Sequence, residues 1–503
     1  MQRIRHHFRN TDLYIVRDYI IRGCSGREYY RRQRIKRLIK ETVALGFVAF
    51  LGCGTIVHAV SGNGMGLMPS GSGLPMETVS GNTSANEKDV TNTDTNTGAG
   101  NVCGKAGAVS QNACMEKENP VKKPEDILIV LDPGHGGEDE GCSKNGIEEK
   151  DINLQTAGAL QAQLEELGYQ VVLTREDDRS ISKEERVQTA NAAGADLYVS
   201  IHQNADESTA PSGVEVWYCE GIYGKESRRL AKLLQKYVVA QTGARERELG
   251  RTDSLYVIRE CEMPSCLIET GFLSNHAERE KLTDPVYQEQ LAKGIAQGID
   301  LFFYPKTMYL TFDDGPSAEN TAAVLDVLKE RGIHATFFVV GENVEKHPEI
   351  ARRIVAEGHT LGIHCYHHNY EEIYASADSY LADFEKAYQI VYETTGVEVK
   401  LFRFPGGSVN SHNQRVYKEI IKRMTEKGFV YFDWNASLED AVTHADAQTL
   451  IKNARESALG RKKVVMLGHD IIYSTAVCLG ELIEVFPEYQ MKPIMPDTAP
   501  IQF

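Results

Sequence analysis

No two of the ten cysteines stand in a CxxC pair, which argues against a thiolate zinc site of the usual spacing. Positive charge is also scarce beyond the first 40 residues. Those 40 hold twelve Lys/Arg against three Asp/Glu, and the whole chain is at −16, so the remainder carries −25. An acidic remainder of that size argues against nucleic acid or another polyanion as the main partner. There is no internal repeat, so a solenoid or propeller is not expected. Long apolar runs are almost absent, with one exception. Residues 42–60, TVALGFVAFLGCGTIVHAV, contain no Lys, Arg, Asp or Glu, and nineteen residues are just enough to span a bilayer. Dense positive charge before this run and none just after it predict a cytoplasmic N-terminus and an external C-terminal bulk. A forty-residue basic leader is too long for a cleaved signal peptide. The expectation is a single-pass cell-membrane protein: basic cytoplasmic segment 1–41, transmembrane helix 42–60, catalytic domains outside.

What is present divides the chain further. Residues 61–125 are Gly, Ser, Asn and Thr with few apolar positions, the composition of a flexible linker. As a random coil it would span roughly 45 Å root-mean-square. Cys103 and Cys114 fall within it and are candidates for an extracellular disulfide. From residue 127 the pattern changes to apolar strands near 127–131, 169–174, 196–201, 214–218 and 265–268, alternating with helices near 151–167, 225–242 and 285–303. Ser182 and Glu185 read as a capping box opening a further helix. Alternation of this kind predicts a three-layer α/β domain over 126–303. Residues 307–503 repeat the alternation. Strands are expected near 308–312, 335–340, 360–363, 400–404, 430–432 and 464–467, and helices near 319–331, 347–357, 376–394, 411–427 and 447–459. Six or seven β/α units predict a distorted, incomplete barrel, whose chemistry gathers at strand C-terminal ends.

Each half ends its strands on metal-binding residue types. In the first, His135, Glu149, His202 and Glu269 all fall at strand ends or in adjacent loops. Three N/O ligands with an open position suit hydrolytic zinc, which lowers the pKa of water. A carboxylate outside the ligand set must then move protons. In the second half, TFDDGP at 311–316 places Asp313 and Asp314 side by side at a strand end, so that their side chains point apart. His364 and His368 are four apart, a spacing that shares one face of a helical turn. With Asp314 they would complete a set of two imidazoles and a carboxylate for zinc or another divalent metal. Asp313 is then free to act as base, and His469, at the end of the 464–467 strand, as acid on the leaving nitrogen.

The motifs carry two resemblances. LDPGHGG at 131–137, NGIEEKD at 145–151, SIHQN at 200–204 and MPSCLIETGFLSN at 263–275 resemble the zinc-dependent N-acetylmuramoyl-L-alanine amidases. That likeness implies His135, Glu149 and His202 as zinc ligands and Glu269 as the catalytic carboxylate, with Glu148 the rival ligand. TFDDGP, HCYHH at 364–368, RFPGG at 403–407, DW at 433–434 and LGH at 467–469 resemble the polysaccharide deacetylases. Here the likeness implies Asp313 as base, His469 as acid, and Asp314, His364 and His368 as metal ligands. It also implies that Arg403 orients Asp313, that Asp433 tunes His469, and that Trp434 and Leu467 line an acetyl pocket. Cys365 stands where that family usually has Ser or Thr. Together the resemblances imply a bifunctional peptidoglycan hydrolase acting on glycan strands and stem peptides. The amidase would cut the bond between N-acetylmuramic acid and L-alanine, and the second domain would N-deacetylate an amino sugar. The competing readings are a catalytically silent wall-binding protein, and a deacetylase working on N-acetylglucosamine or another polysaccharide independently of the amidase.

Overall fold

The computed structural model describes residues 122–441 and 445–503. The basic head, the apolar run 42–60, nearly all of the linker and the Cys103/Cys114 pair lie outside them. Among the described residues no helix is long and apolar enough to cross a membrane, and all six cysteines are free thiols.

The first domain is a six-stranded sheet built on β1 (Leu128–Pro133). A two-residue hairpin follows, β2 (Ser143–Lys144) with β3 (Ile147–Glu148). Then come β4 (Gln170–Leu173), β5 (Leu197–Asn204), β6 (Glu215–Tyr218), β7 (Gly250–Arg251) and β8 (Ser265–Phe272). The sheet order is β4-β1-β5-β8-β6-β7, parallel except where β6 runs antiparallel to β8. Period-2 alternation sorts the side chains into two layers. Ile129, Leu131, Val199 and Ile201 pack with buried residues of helices Glu149–Glu166, Gly224–Thr242 and Pro285–Phe303. Val130, Tyr198 and Leu267 face the other way, against Ala190, Ile258 and Met263. The three-layer expectation holds, and Ser182 caps helix Lys183–Ala193 with the full reciprocal box to Glu185. Short elements with no period to read were not anticipated: β2, β3, β7 and helices Tyr256–Arg259 and His276–Leu282.

Helix Pro285–Phe303 runs almost directly into the second domain, whose sheet is β9 (Lys306–Asp313), β10 (Thr336–Val340), β11 (Thr360–Cys365), β12 (Leu401–Phe402), β13 (Val430–Tyr431), β14 (Ala436–Ser437), β15 (Lys463–His469) and β16 (Tyr489–Met491). The order is β13-β12-β11-β10-β9-β15-β14, every pairing parallel, with β16 added to β9. The expected barrel is open between β13 and β14, which are separated in sequence only by residues 432–435. The segment ending at Phe503 bonds at that opening: Asp433 N–H donates to the Ile501 carbonyl, and Gln502 Nε2 donates to the Tyr431 carbonyl. Helix Tyr473–Glu484 was not anticipated either. Its Ala476, Cys478, Leu479 and Leu482 are buried, and the run TAVCLGELIE is apolar on too many sides to show a helical stripe.

One buried polar knot holds the loop that leaves β1. Asp132, fully buried, accepts hydrogen bonds from Arg186 (2.7 Å), Thr174 (2.6 Å), Tyr198 (2.7 Å) and Ser200 (2.7 Å). Arg186 and the buried Arg175 also donate to the carbonyls of Pro133, Gly134 and His135, and Arg175 to those of Lys150 and Asp177 as well. Burial opposes ionisation of Asp132, but Arg186 and the hydroxyl donors outweigh it and hold its carboxyl below the usual range. Its contribution to stability is therefore complete above the unfolded-state pKa near 4 and is lost as pH falls through the depressed folded value. Asp132→Asn leaves Arg186 without its counter-charge and is expected to cost about 3–5 kcal/mol. Urea unfolding of the variant at pH 7 should show that loss, with a smaller decline in stability toward acid pH than in the wild type.

Candidate metal centres

In the first domain the site forms along the C-terminal ends of β1, β5 and β8. Register puts His202 of β5 opposite Glu269 of β8, and Glu215 of β6 opposite Glu269 on its other side. His135 sits in the loop after β1 with φ 62°, and Glu149 opens helix Glu149–Glu166. The Glu149 Oε1 atom lies 3.3 Å from His135 Nε2 and 3.0 Å from His202 Nδ1. Each of the three residues offers a ligand atom, and these lie within 4.8 Å of one another. Asp139 accepts from His135 Nδ1 at 2.9 Å, which fixes that ring and leaves Nε2 facing the centre. Backbone N–H groups of Gln203 (3.0 Å) and Cys142 (2.9 Å) orient the Glu149 carboxylate. Burial works against the Glu149 anion, yet hydrogen bonds and charge from His135 and His202 hold its pKa well below normal. The same contacts, with Asp139, overcome desolvation of His135 and raise it to about 9. The rival ligand Glu148 turns outward to Lys150, 3.2 Å away. Gly134 is required for close approach: a Cβ there would stand 2.2 Å from His202 Cε1.

Glu269 has the opposite environment. Its Oε2 is buried without a hydrogen-bond partner among the described residues. Desolvation, with the charges of Glu149 and Glu215, pushes its carboxyl up to about 7 against the pull of His202 and His135. A carboxylate that titrates near neutrality beside a ligand set is suited to accepting and returning a proton.

The second site repeats this division of labour. Asp313 ends β9 buried, and Asp314 follows at φ 77°, which turns the adjacent carboxylates apart. Asp314 Oδ1 lies 3.5 Å from His364 Nε2 and 3.6 Å from His368 Nε2. That oxygen is buried and has no hydrogen-bond partner among the described residues. His364 Nδ1 is held by the Arg403 carbonyl at 2.9 Å, so its Nε2 faces the centre. The two histidines do converge, but not through a helical turn. His364 lies in β11 and His368 in the bend after it, with ring centroids 5.2 Å apart. His367 leaves the set to pair with Asp383 at 2.9 Å.

Arg403 donates to Asp313 Oδ1 at 2.8 Å and to the carbonyls of Phe432 and Asp433. Burial, helped by Asp314 and opposed by Arg403 and His469, raises Asp313 to about 6. His469 stands in register with Asp313 on the neighbouring strand. The role expected of Asp433 falls instead to Asp440, which the sequence reading missed. Asp440 accepts from His469 Nδ1 at 2.8 Å, from the His469 N–H at 2.7 Å and from Thr475 at 2.6 Å. Desolvation of His469 is overcome by Asp440 and the two aspartates of the site, raising the imidazole to about 9. Asp433 is buried but bonded to the Ser408 N–H and hydroxyl and to the Phe503 N–H. It braces the loop around Ser408, and through its carbonyl, Arg403. Trp434 and Leu467 are both buried, and the Arg403 guanidinium lies 5.7 Å from the Trp434 ring. Burial drives the Cys365 thiol well above its usual pKa, which disfavours the reactive thiolate.

Both sets fit a divalent metal. Each gathers two imidazoles and one carboxylate with ligand atoms within 4.8 Å of one another, and in the second set Asp314 Oδ1 is buried with no hydrogen-bond donor among the described residues. Comparisons with known proteins agree with the division. The family model described as N-acetylmuramoyl-L-alanine amidase matches residues 129–300, and the one described as polysaccharide deacetylase matches 303–430. The amidase LytC of Bacillus subtilis (strain 168) is 38% identical over 197 residues, covering 39% of this chain and 39% of that protein. The chain thus spans about two fifths of LytC. The germination-specific N-acetylmuramoyl-L-alanine amidase of the same organism is 35% identical over 195 residues, 36% of this chain and 81% of that protein. Among solved structures, the catalytic domain of a peptidoglycan N-acetylglucosamine deacetylase from Eubacterium rectale ATCC 33656 is 29% identical, covering 39% of this chain and 92% of that one, with a TM-score of 0.38. Over residues 129–300 the chain belongs to the N-acetylmuramoyl-L-alanine amidase family, joined in tandem to a polysaccharide deacetylase domain.

Proposed function

We propose that the two domains act on the same peptidoglycan. The first would cleave the amide between N-acetylmuramic acid and L-alanine, and the second would remove an N-acetyl group from an amino sugar of the glycan. The observation that carries this reading is the repeated pairing of a three-residue ligand set with a buried, non-ligating carboxylate of raised pKa: Glu269 in one case, Asp313 in the other. We take zinc for the first site and zinc or another divalent ion for the second. When bound, such an ion polarises the acyl oxygen and makes water easier to deprotonate. Glu269 and Asp313 take the proton from that water, and Arg403 keeps Asp313 aimed at it. His469, held protonated by Asp440, delivers a proton to the departing sugar nitrogen. In the first domain Glu269 itself returns the proton to the leaving amine. Residues 42–60 would anchor the enzyme in the cell membrane with both domains outside, which fractionation and protease accessibility of intact cells would test.

The deciding experiment incubates the purified chain with intact peptidoglycan, with and without prior chelation. The metal-loaded enzyme should release both stem peptide and acetate, and chelation should abolish both until metal is restored. Release of neither product by metal-loaded protein would favour the silent wall-binding reading. Mass spectrometry of the muropeptides would show which sugar loses its acetyl group.

Asp440→Asn gives a sharper test of the acid. It removes the charge that holds the imidazolium, so acetate release should fall about 10²-fold. The alkaline limb of its pH profile should also move to lower pH. Peptide release in the same protein should be unchanged.

A further inference from the structure

The seam between the domains carries more positive charge than its visible partners neutralise. Helix Gly224–Thr242 presents Arg228, Arg229, Lys232 and Lys236 to the second domain. Arg229 is fully engaged with the carbonyls of Leu301, Phe302 and Pro487, and Lys236 pairs with Glu488 at 2.7 Å. Arg228 and Lys232 remain, and Arg331 approaches from the second domain. All three converge on a single carboxylate, Glu484, with Arg228 at 2.9 Å. Three cations on one anion leave a local excess of +2.

This cluster lines a cavity of about 940 Å³, which also receives Lys225. Among the described residues Glu330 is the only other acid on its wall, and its carboxylate stands 4.0 Å from Arg331 Nε. The Nε of Arg331 is buried and has no hydrogen-bond partner among the described residues, a donor left over after Glu484 is satisfied. Burial, followed by repulsion from Arg228 and Arg331, pulls Lys232 down to about 8, as expected where cations outnumber anions. The floor is apolar, from Phe302, Ile333 and Phe486 among others. No residue of either metal-ligand set lines this space.

We propose that the cavity binds a phosphate-type dianion, free or as the terminal group of a phosphomonoester, and that the ligand clamps the amidase helix to the deacetylase domain. With Arg229, which bonds only carbonyls, and Lys225 counted against Glu330, the excess rises to +3, enough to hold a dianion. Two guanidinium forks and an ammonium arriving from both domains can share the three oxygens of one phosphoryl group. The apolar floor accommodates an organic substituent on the phosphoryl group.

Isothermal titration of the metal-loaded full chain with inorganic phosphate, at pH 7 and ionic strength held constant with chloride, tests this directly. Wild type should bind phosphate with a sub-millimolar dissociation constant, and phenyl phosphate more tightly if the natural ligand is an ester. Equal or weaker binding of phenyl phosphate would point to free phosphate, still within the proposal. Lys232→Met and Arg331→Gln should each weaken phosphate at least 10-fold. Lys225→Gln, at the exposed rim, should weaken it several-fold without threatening the fold. Glu484→Gln raises the local excess and should tighten binding. Because these residues lie outside both metal sites, the variants also separate this site from phosphate bound at a metal. Wild-type binding no stronger than that of Lys232→Met, or weaker binding by Glu484→Gln, would overturn the proposal.

Discussion

Glu269→Gln is expected to lower peptide release by about 10³-fold while leaving acetate release within a factor of two. General acid–base groups contribute on the order of 10²–10⁴ in rate, and Glu269 is the one carboxylate at the first site free to supply it. Glu149 is committed between two imidazoles, and Glu215, next in the row, accepts from Asn204 at 3.1 Å. Glutamine preserves the volume and the β5–β8 register that set Glu269 opposite His202, but it cannot take a proton. Since Glu269 is outside the ligand set, the variant should keep its full complement of metal by elemental analysis. Glu149→Gln, in contrast, should lose metal and activity together. Retention of a tenth or more of wild-type peptide release by Glu269→Gln would move the base elsewhere, with Glu215 the next candidate.

These residues were legible because strand ends are conspicuous: an apolar run stops, and the next polar side chain lies at the mouth of the sheet. His135, His202, Glu269, Asp313 and His469 all follow that rule. The choice between Glu148 and Glu149 was not a matter of spacing. It depended on where the helix begins, since the first residue of Glu149–Glu166 turns inward while Glu148, in β3, faces Lys150. His364 and His368 meet without the helical turn expected of them, because a strand and the loop after it bring them together. Asp440 escaped notice for a different reason. It lies three residues past the two-residue strand β14, in a loop with no local pattern, and only long-range packing brings it to His469. Asp433 drew the assignment by standing next to Trp434. The knot around Asp132 was equally hidden, because Arg175 and Arg186 look in sequence like ordinary surface arginines, yet both are buried. The interdomain cavity was invisible for the same reason: Lys232, Arg331 and Glu484 meet only after both domains have folded.

Asp313→Asn should reduce acetate release by about 10³-fold and spare peptide release, the mirror of the first variant. Three effects could combine in this one substitution. Loss of the base is the catalytic effect, because the amide cannot accept the proton that Asp313, raised to about 6 by burial, is placed to take. Loss of metal is not expected, since Asp314, His364 and His368 remain. Loss of structure is the real competitor. Arg403 is fully buried and, among the described residues, Asp313 Oδ1 is its only close carboxylate partner, so removing that charge is expected to cost about 3–5 kcal/mol. The asparagine carbonyl can still accept from Arg403, and Thr311 stays 2.8 Å from the same nitrogen, which limits the damage. The amidase domain on the same chain supplies the internal control for protein concentration and gross misfolding. Circular dichroism and metal content then establish whether the second domain is intact. Substrate choice separates independent action from sequential action. If Glu269→Gln loses acetate release on intact peptidoglycan but retains it on glycan already stripped of peptide, the second site requires the product of the first. If Asp313→Asn abolishes peptide release as well, while the protein remains folded and metal-loaded, two independent sites are the wrong description.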